Sequence, residues 1–253
     1  KYGGYYTAPD YRYVEPSVAL VYTANVTGER RTASQVLDAV SGQWTDYYLQ
    51  SSASPSAELP EDARGHWASA ALQTLLDHNV IKPDEDGKLH PDRVVKVGEF
   101  LHMLAMAANP NLDMYDSYMD ESESRLFADV DGSSPYYPAV SQLIMQKLLV
   151  QDPGAYLHPE AELTRGELAV YLSKITGYSK LAPKLADLPV FTSLEDAKTV
   201  PHPGAAALAL KLGLMLPQDG KFLPEAKVTL AQLATVFVRL AEGQGDWDRK
   251  LSQ

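Results

Sequence analysis

Thr164-Arg165-Gly166-Glu167 puts a hydroxyl, a guanidinium and a carboxylate within four residues, just ahead of the apolar-periodic run Leu168, Val170, Tyr171, Leu172 and Ile175. Thr-x-x-Glu before such a run is a capping box: Thr164 accepts from the amide of Glu167, and the Glu167 carboxylate accepts from the amide of Thr164. Arg165 then falls at the first helical position with no capping duty, where unpaired amides and the helix dipole favour an anion. The chemistry this suggests is binding of a carboxylate or phosphate.

Other chemistries find less support. Asp84-Glu85-Asp86-Gly87 and Asp129-Val130-Asp131-Gly132-Ser133 open like calcium loops, but a twelve-residue count puts Val95 and Val140 where the bidentate glutamate belongs. The six histidines, at 66, 78, 90, 102, 158 and 202, have no metal-ligand spacing, and cysteine is absent, so no metal and no cofactor is expected. Gly-x-Ser-x-Gly and a phosphate-cradling glycine loop are missing, and the reading is non-enzymatic. Paired carboxylates for glycoside cleavage stay open, because Asp and Glu are plentiful. A net charge of −11 disfavours nucleic acid and anionic membrane surfaces, and no apolar run is long enough to span a bilayer.

The elements that must position Arg165 follow from a repeat. Val95-Lys96-Val97-Gly98-Glu99 and Val228-Thr229-Leu230-Ala231-Gln232 are imperfect copies of Leu163–Glu167, and Glu99, Glu167 and Gln232 are spaced by 68 and 65 residues. Pro91, Pro159 and Pro224 repeat at the same two spacings, which makes chance a poor explanation. Each unit reads as helix, turn, short extended piece, helix. The second helices are expected to pack together at the centre, because no single unit closes a core alone. Residues 1–50 differ: tyrosines crowd together, Ala19–Tyr22 reads as a strand, Val26-Thr27-Gly28-Glu29 as a turn, and a second strand ends near Gly42. Residues 51–58 are small and polar, as in a linker. Beginning inside a strand-like stretch, the chain reads as a piece of a longer one. The acidic group Asp113, Asp116, Asp120, Glu121 and Glu123 reads as a solvated connection.

With Trp67-Ala68, Phe127-Ala128-Asp129-Val130, Phe222-Leu223-Pro224 and Thr164–Glu167 in place, residues 59–243 resemble a run of three S-layer homology repeats, at 59–110, 124–178 and 188–243. The resemblance implies a mainly α fold, three helix-turn-helix repeats in a pseudo-three-fold bundle with a small β-rich N-terminal segment. It also implies non-covalent anchoring of an exported, extracellular protein to the cell wall or S-layer of Gram-positive type. The implied partner is a secondary cell-wall polysaccharide, commonly through a pyruvylated sugar whose carboxylate meets the motif Arg. Residues 1–50 loosely resemble the end of a PepSY-like domain of the YcdB/YcdC type, through Asp38-Ala39-Val40-Ser41-Gly42, with the rest of that domain upstream in the same polypeptide.

Departures from the pattern rank the three sites. Arg165 is retained, whereas Val97 and Leu230 occupy the equivalent positions; Lys96 replaces the motif Thr that Thr164 and Thr229 keep, and Gly98, Glu99, Ala231 and Gln232 complete the degenerate copies. One competent groove is expected, centred on Arg165 with Thr164, Gly166 and Glu167. Tyr136, Tyr137 or Trp67 stacks on a sugar ring, and Asp129 accepts sugar hydroxyls. Trp67 also fits a core anchor, and Lys96 either stands in for the lost Arg or is simply exposed. The alternative is an interaction module that keeps the fold without glycan binding and serves assembly or regulates a partner enzyme.

Overall fold

The computed structural model describes residues 58–108 and 125–243 and, ahead of them, the backbone of five short strands. The chain divides into two units, Lys1–Ser56 and Ala57–Gln253. In the first, β1 (Tyr5–Thr7) pairs antiparallel with β2 (Arg12–Val14), and β3 (Val21–Thr27), β4 (Thr32–Asp38) and β5 (Trp44–Thr45) form an antiparallel sheet in that order. Strand β3 runs through Val26 and Thr27 to the pair Thr27↔Thr32, so the turn comes later than the sequence suggested. Residues 39–42, 51–57 and 113–123, with the PepSY-like motif, the linker and the acidic group, lie outside the described residues.

The second unit is mainly α. Its helices are α1 (Ser69–Asp77), α2 (Val97–Ala108), α3 (Tyr137–Met145), α4 (Arg165–Ile175), the single turn α5 (Pro189–Thr192), α6 (Pro203–Lys211) and α7 (Leu230–Gly243). They form three equivalent units, α1/α2, α3/α4 and α6/α7. Each second helix packs on the first helix of the next unit: α2 on α3, α4 on α6, and α7 back on α1, which closes the ring. At the centre the second helices meet through Phe100, 5.1 Å from the ring of Tyr171 and 6.2 Å from that of Phe237.

The same cycle recurs in the backbone. Val95 N–H donates to Val228 O (3.0 Å), Leu163 N–H to Val95 O (2.8 Å) and Val228 N–H to Leu163 O (2.9 Å). These are the residues just before the three helix caps, and all three are buried. A buried amide left unpaired is costly, so each unit depends on both others to complete this ring.

Two further devices recur in every unit. After the first helix a residue of positive φ (Asn79, Lys147, Gly213) reverses the chain, and the next two amides donate back to Leu75 O, Leu143 O or Ala209 O. Farther on, a carboxylate takes two successive backbone amides: Asp62 those of Leu89 and His90, Asp129 those of Leu157 and His158, Asp196 those of Phe222 and Leu223. The second residue of each pair precedes a proline and has φ near +50°, at His90, His158 and Leu223. That conformation is unfavourable for a side-chain-bearing residue, and the aspartate holds it in place. Gly204 in α6 meets a different demand, because a Cβ there would collide with the Ala182 carbonyl.

Candidate functional site

The capping box of α4 is complete: Thr164 Oγ1 accepts from Glu167 N–H (3.2 Å) and Glu167 Oε2 accepts from Thr164 N–H (2.9 Å). Thr229 and Gln232 keep the reciprocal pattern at 3.3 Å each, whereas Lys96 offers no side-chain acceptor and only its amide is received, by Glu99 (2.8 Å). The amides at the helix starts are not open to an anion, contrary to the expectation from sequence. Arg165 N–H donates to Ala226 O (2.9 Å) and Gly166 N–H to Pro224 O (2.8 Å); Val97 and Gly98 donate to Ala161 O and Pro159 O, Leu230 and Ala231 to Arg93 O and Pro91 O. The acceptors come from the neighbouring unit, so the periodicity of one helix cannot reveal them.

Arg165 itself is only 5% exposed. Its Nε donates to Phe222 O (2.8 Å), its Nη2 to Leu216 O (2.7 Å), and the guanidinium lies 5.3 Å from the Phe222 ring centroid. Burial lowers its pKa, and the nearby Asp196 carboxylate opposes that shift; an arginine remains charged regardless. The group lines a cavity of about 200 Å³ whose wall also includes Trp67, Leu216, Gln218, Gln232, Thr235 and Arg239. Among the described residues, no acidic side chain lines this cavity. Trp67 is 65% exposed, which removes it from the core and leaves its indole face available. Arg165 of the second unit and Trp67 of the first thus share one hollow, closed by α7 and by the turn after α6 from the third.

A second cavity, about 170 Å³, is the same groove one unit round. Leu230 occupies the place of Arg165, Glu99 that of Gln232, His102 that of Thr235 and Met106 that of Arg239, with Asn79–Lys82 forming the turn wall. Its Arg93 is tied to Glu99 through Nη1 (2.8 Å), so the charges largely compensate.

The remaining sequence candidates lie elsewhere. Tyr136 is half-buried over the start of α2, so close that a Cβ on Gly98 would come within 2.6 Å of its ring. Burial raises the Tyr136 pKa, with Glu160 adding to the effect, and Glu160 is itself paired with Lys96 at 2.7 Å. Lys96 is therefore exposed and engaged with a carboxylate. Tyr137 opens α3 and is half-buried. Asp129 spends both carboxylate oxygens on Leu157 and His158, so its observed work is to hold the extended piece. Asp62 and Asp196, which share that role, and Arg239 and Thr235 in the first cavity were missed from sequence. The aspartates recur at an interval of 67 residues, a signal that the period itself contains.

The family profile for the S-layer homology domain matches residues 61–101 and 126–169, which fall in the first two of the three units. Such domains are cell-wall-binding modules rather than catalytic ones, and they generally attach proteins to secondary cell-wall polymers at the cell surface. No curated protein matches the chain. Among the described residues no helix is long and apolar enough to cross a membrane.

Proposed function

We propose that the chain anchors an exported protein to an acidic secondary cell-wall polysaccharide, and that the cavity shared by Arg165 and Trp67 takes the acidic substituent, a pyruvyl group being the best fit. All three units act as S-layer homology repeats in this reading, and residues 1–50 close a β-rich PepSY-like domain upstream. The observation that carries it is electrostatic. In a chain of net charge −11, one cavity is lined, among the described residues, by two arginines and no carboxylate. Such a hollow concentrates an anion while the surface as a whole repels it, which favours a local contact over diffuse attraction.

Its volume is below the roughly 300–1,000 Å³ of ordinary small-molecule pockets, so it suits a single substituted ring end rather than a run of sugars. Trp67, exposed at the rim, offers an apolar face for the ring. The second cavity has Leu230 in place of the arginine and an Arg93 paired with Glu99, and the start of α2 carries Val97 with Tyr136 packed over Gly98, so one strong contact dominates and little avidity is added. Pull-down on purified wall polysaccharide tests the reading. Wild type is retained and Trp67→Ala, which leaves the core intact, is released; a wild type that stays in solution overturns the proposal.

A further inference from the structure

The third copy of the motif, Thr229–Gln232, looks like the decayed remnant of a binding site, having lost its arginine and its glutamate. Its place in the structure gives those losses another meaning. Gln232 and Arg239 extend from α7 into the cavity of Arg165, so the third unit's helix forms a wall of the second unit's site.

We infer that Arg239 is the group that meets the ligand's carboxylate in this cavity, and that Gln232 in place of a glutamate is what leaves the site free to accept a negative charge. The inference rests on the anchoring reading and names the residues that discriminate within it. Arg165 is largely committed: two of its three nitrogens donate to backbone carbonyls and the guanidinium lies over Phe222. Arg239 is half-buried, and among the described residues its guanidinium makes a single long hydrogen bond, Nη1 to Leu214 O at 3.5 Å. That contact is at the outer limit of geometry and gives way readily to a charged acceptor.

Comparison with the equivalent cavity supplies the independent support. Of the wall positions that differ, three on the helices, Leu230 to Arg165, Glu99 to Gln232 and Met106 to Arg239, make the first cavity more positive, whereas His102 gives way to Thr235 and the cations Lys82 and Arg93 line the second cavity alone. A glutamate at 232 would stand where Glu99 stands and would pair with an arginine as Glu99 pairs with Arg93. Gln232 instead accepts the Thr229 amide through Oε1, which keeps the cap, and its amide nitrogen stays a donor. The side chain therefore preserves the helix start while removing the charge.

The test uses the full chain, a methyl hexoside carrying a pyruvyl acetal, and the methyl ester of the same compound, titrated calorimetrically. Arg239→Met and Gln232→Glu each reproduce the second cavity at one position. Each is expected to weaken binding of the acid about 10- to 100-fold, the equivalent of one charge-assisted hydrogen bond, while binding of the ester changes less than about threefold. Unchanged thermal unfolding of both variants separates recognition from folding. Wild-type binding of the acid with Arg239→Met equal to wild type overturns the assignment and leaves the anchoring reading standing. Failure of the wild type to bind either the acid or the polysaccharide overturns both.

Discussion

Replacing Arg165 by methionine keeps most of the side-chain volume and removes the charge. The cost follows from what the guanidinium touches. Phe222 is fully buried, so its carbonyl loses its Arg165 donor with no water to replace it, a penalty of about 1–3 kcal/mol. Leu216 is 54% exposed, and its carbonyl turns to solvent at a cost of about 0–1 kcal/mol. Loss of the cation over Phe222 adds about 0.5–1 kcal/mol, and relief of the buried charge offsets part of it. The net is about 2–4 kcal/mol, which for a unit of this size lowers the unfolding midpoint by roughly 5–15 °C. Circular dichroism at increasing temperature reads this directly. Arg239→Met, losing only a 3.5 Å contact, should move the midpoint by no more than about 2 °C. If Arg165→Met unfolds with the wild type, the guanidinium is not part of the internal structure, and the division of labour between the two arginines collapses.

Three further outcomes are expected. Asp129→Ala removes the acceptor of two backbone amides and releases His158 from positive φ, so urea unfolding should show a loss of about 2–4 kcal/mol with polysaccharide affinity of the folded protein unchanged. Gly204→Ala should destabilise by about 1–3 kcal/mol despite alanine's better helix propensity, because the Ala182 carbonyl must move; a gain in midpoint would contradict that packing. Tyr171 is held protonated by burial, with Glu167 adding to the effect, its pKa pushed from 10.0 up to about 12. The neutral form is thus favoured by folding, so this stability is complete below pH 10 and is lost as pH rises from 10 through about 12. Tyr171→Phe should flatten stability over that window in alkaline titrations followed by fluorescence.

What the sequence made legible was periodic. Pro91, Pro159 and Pro224 and the three motif copies carry the spacing of the units, and the apolar faces of α2, α4 and α7 point to a shared centre because no single unit closes a core alone. The box of Thr164 and Glu167 was legible because both partners lie within four residues. The expectation of open amides failed for a reason of scale: their acceptors, Ala226 and Pro224, belong to another unit some 60 residues on. Taken alone, Asp129 reads as a sugar acceptor; Asp62 and Asp196 at the same interval reveal a backbone role common to all three. Arg239 lies nine residues past Leu230, outside the motif, and only the closing of α7 over the second unit's site brings it in. Degeneracy of a repeat therefore has to be judged cavity by cavity, since each cavity draws its wall from more than one unit.

The most direct test is a crystal structure of the full chain with the pyruvylated hexoside. The account predicts density in the cavity of Trp67, Arg165 and Arg239, with the carboxylate within hydrogen-bonding distance of Arg239 and the ring against the indole. A ligand seated beside Leu230 and Arg93, or on the outer surface with this cavity empty, would contradict it.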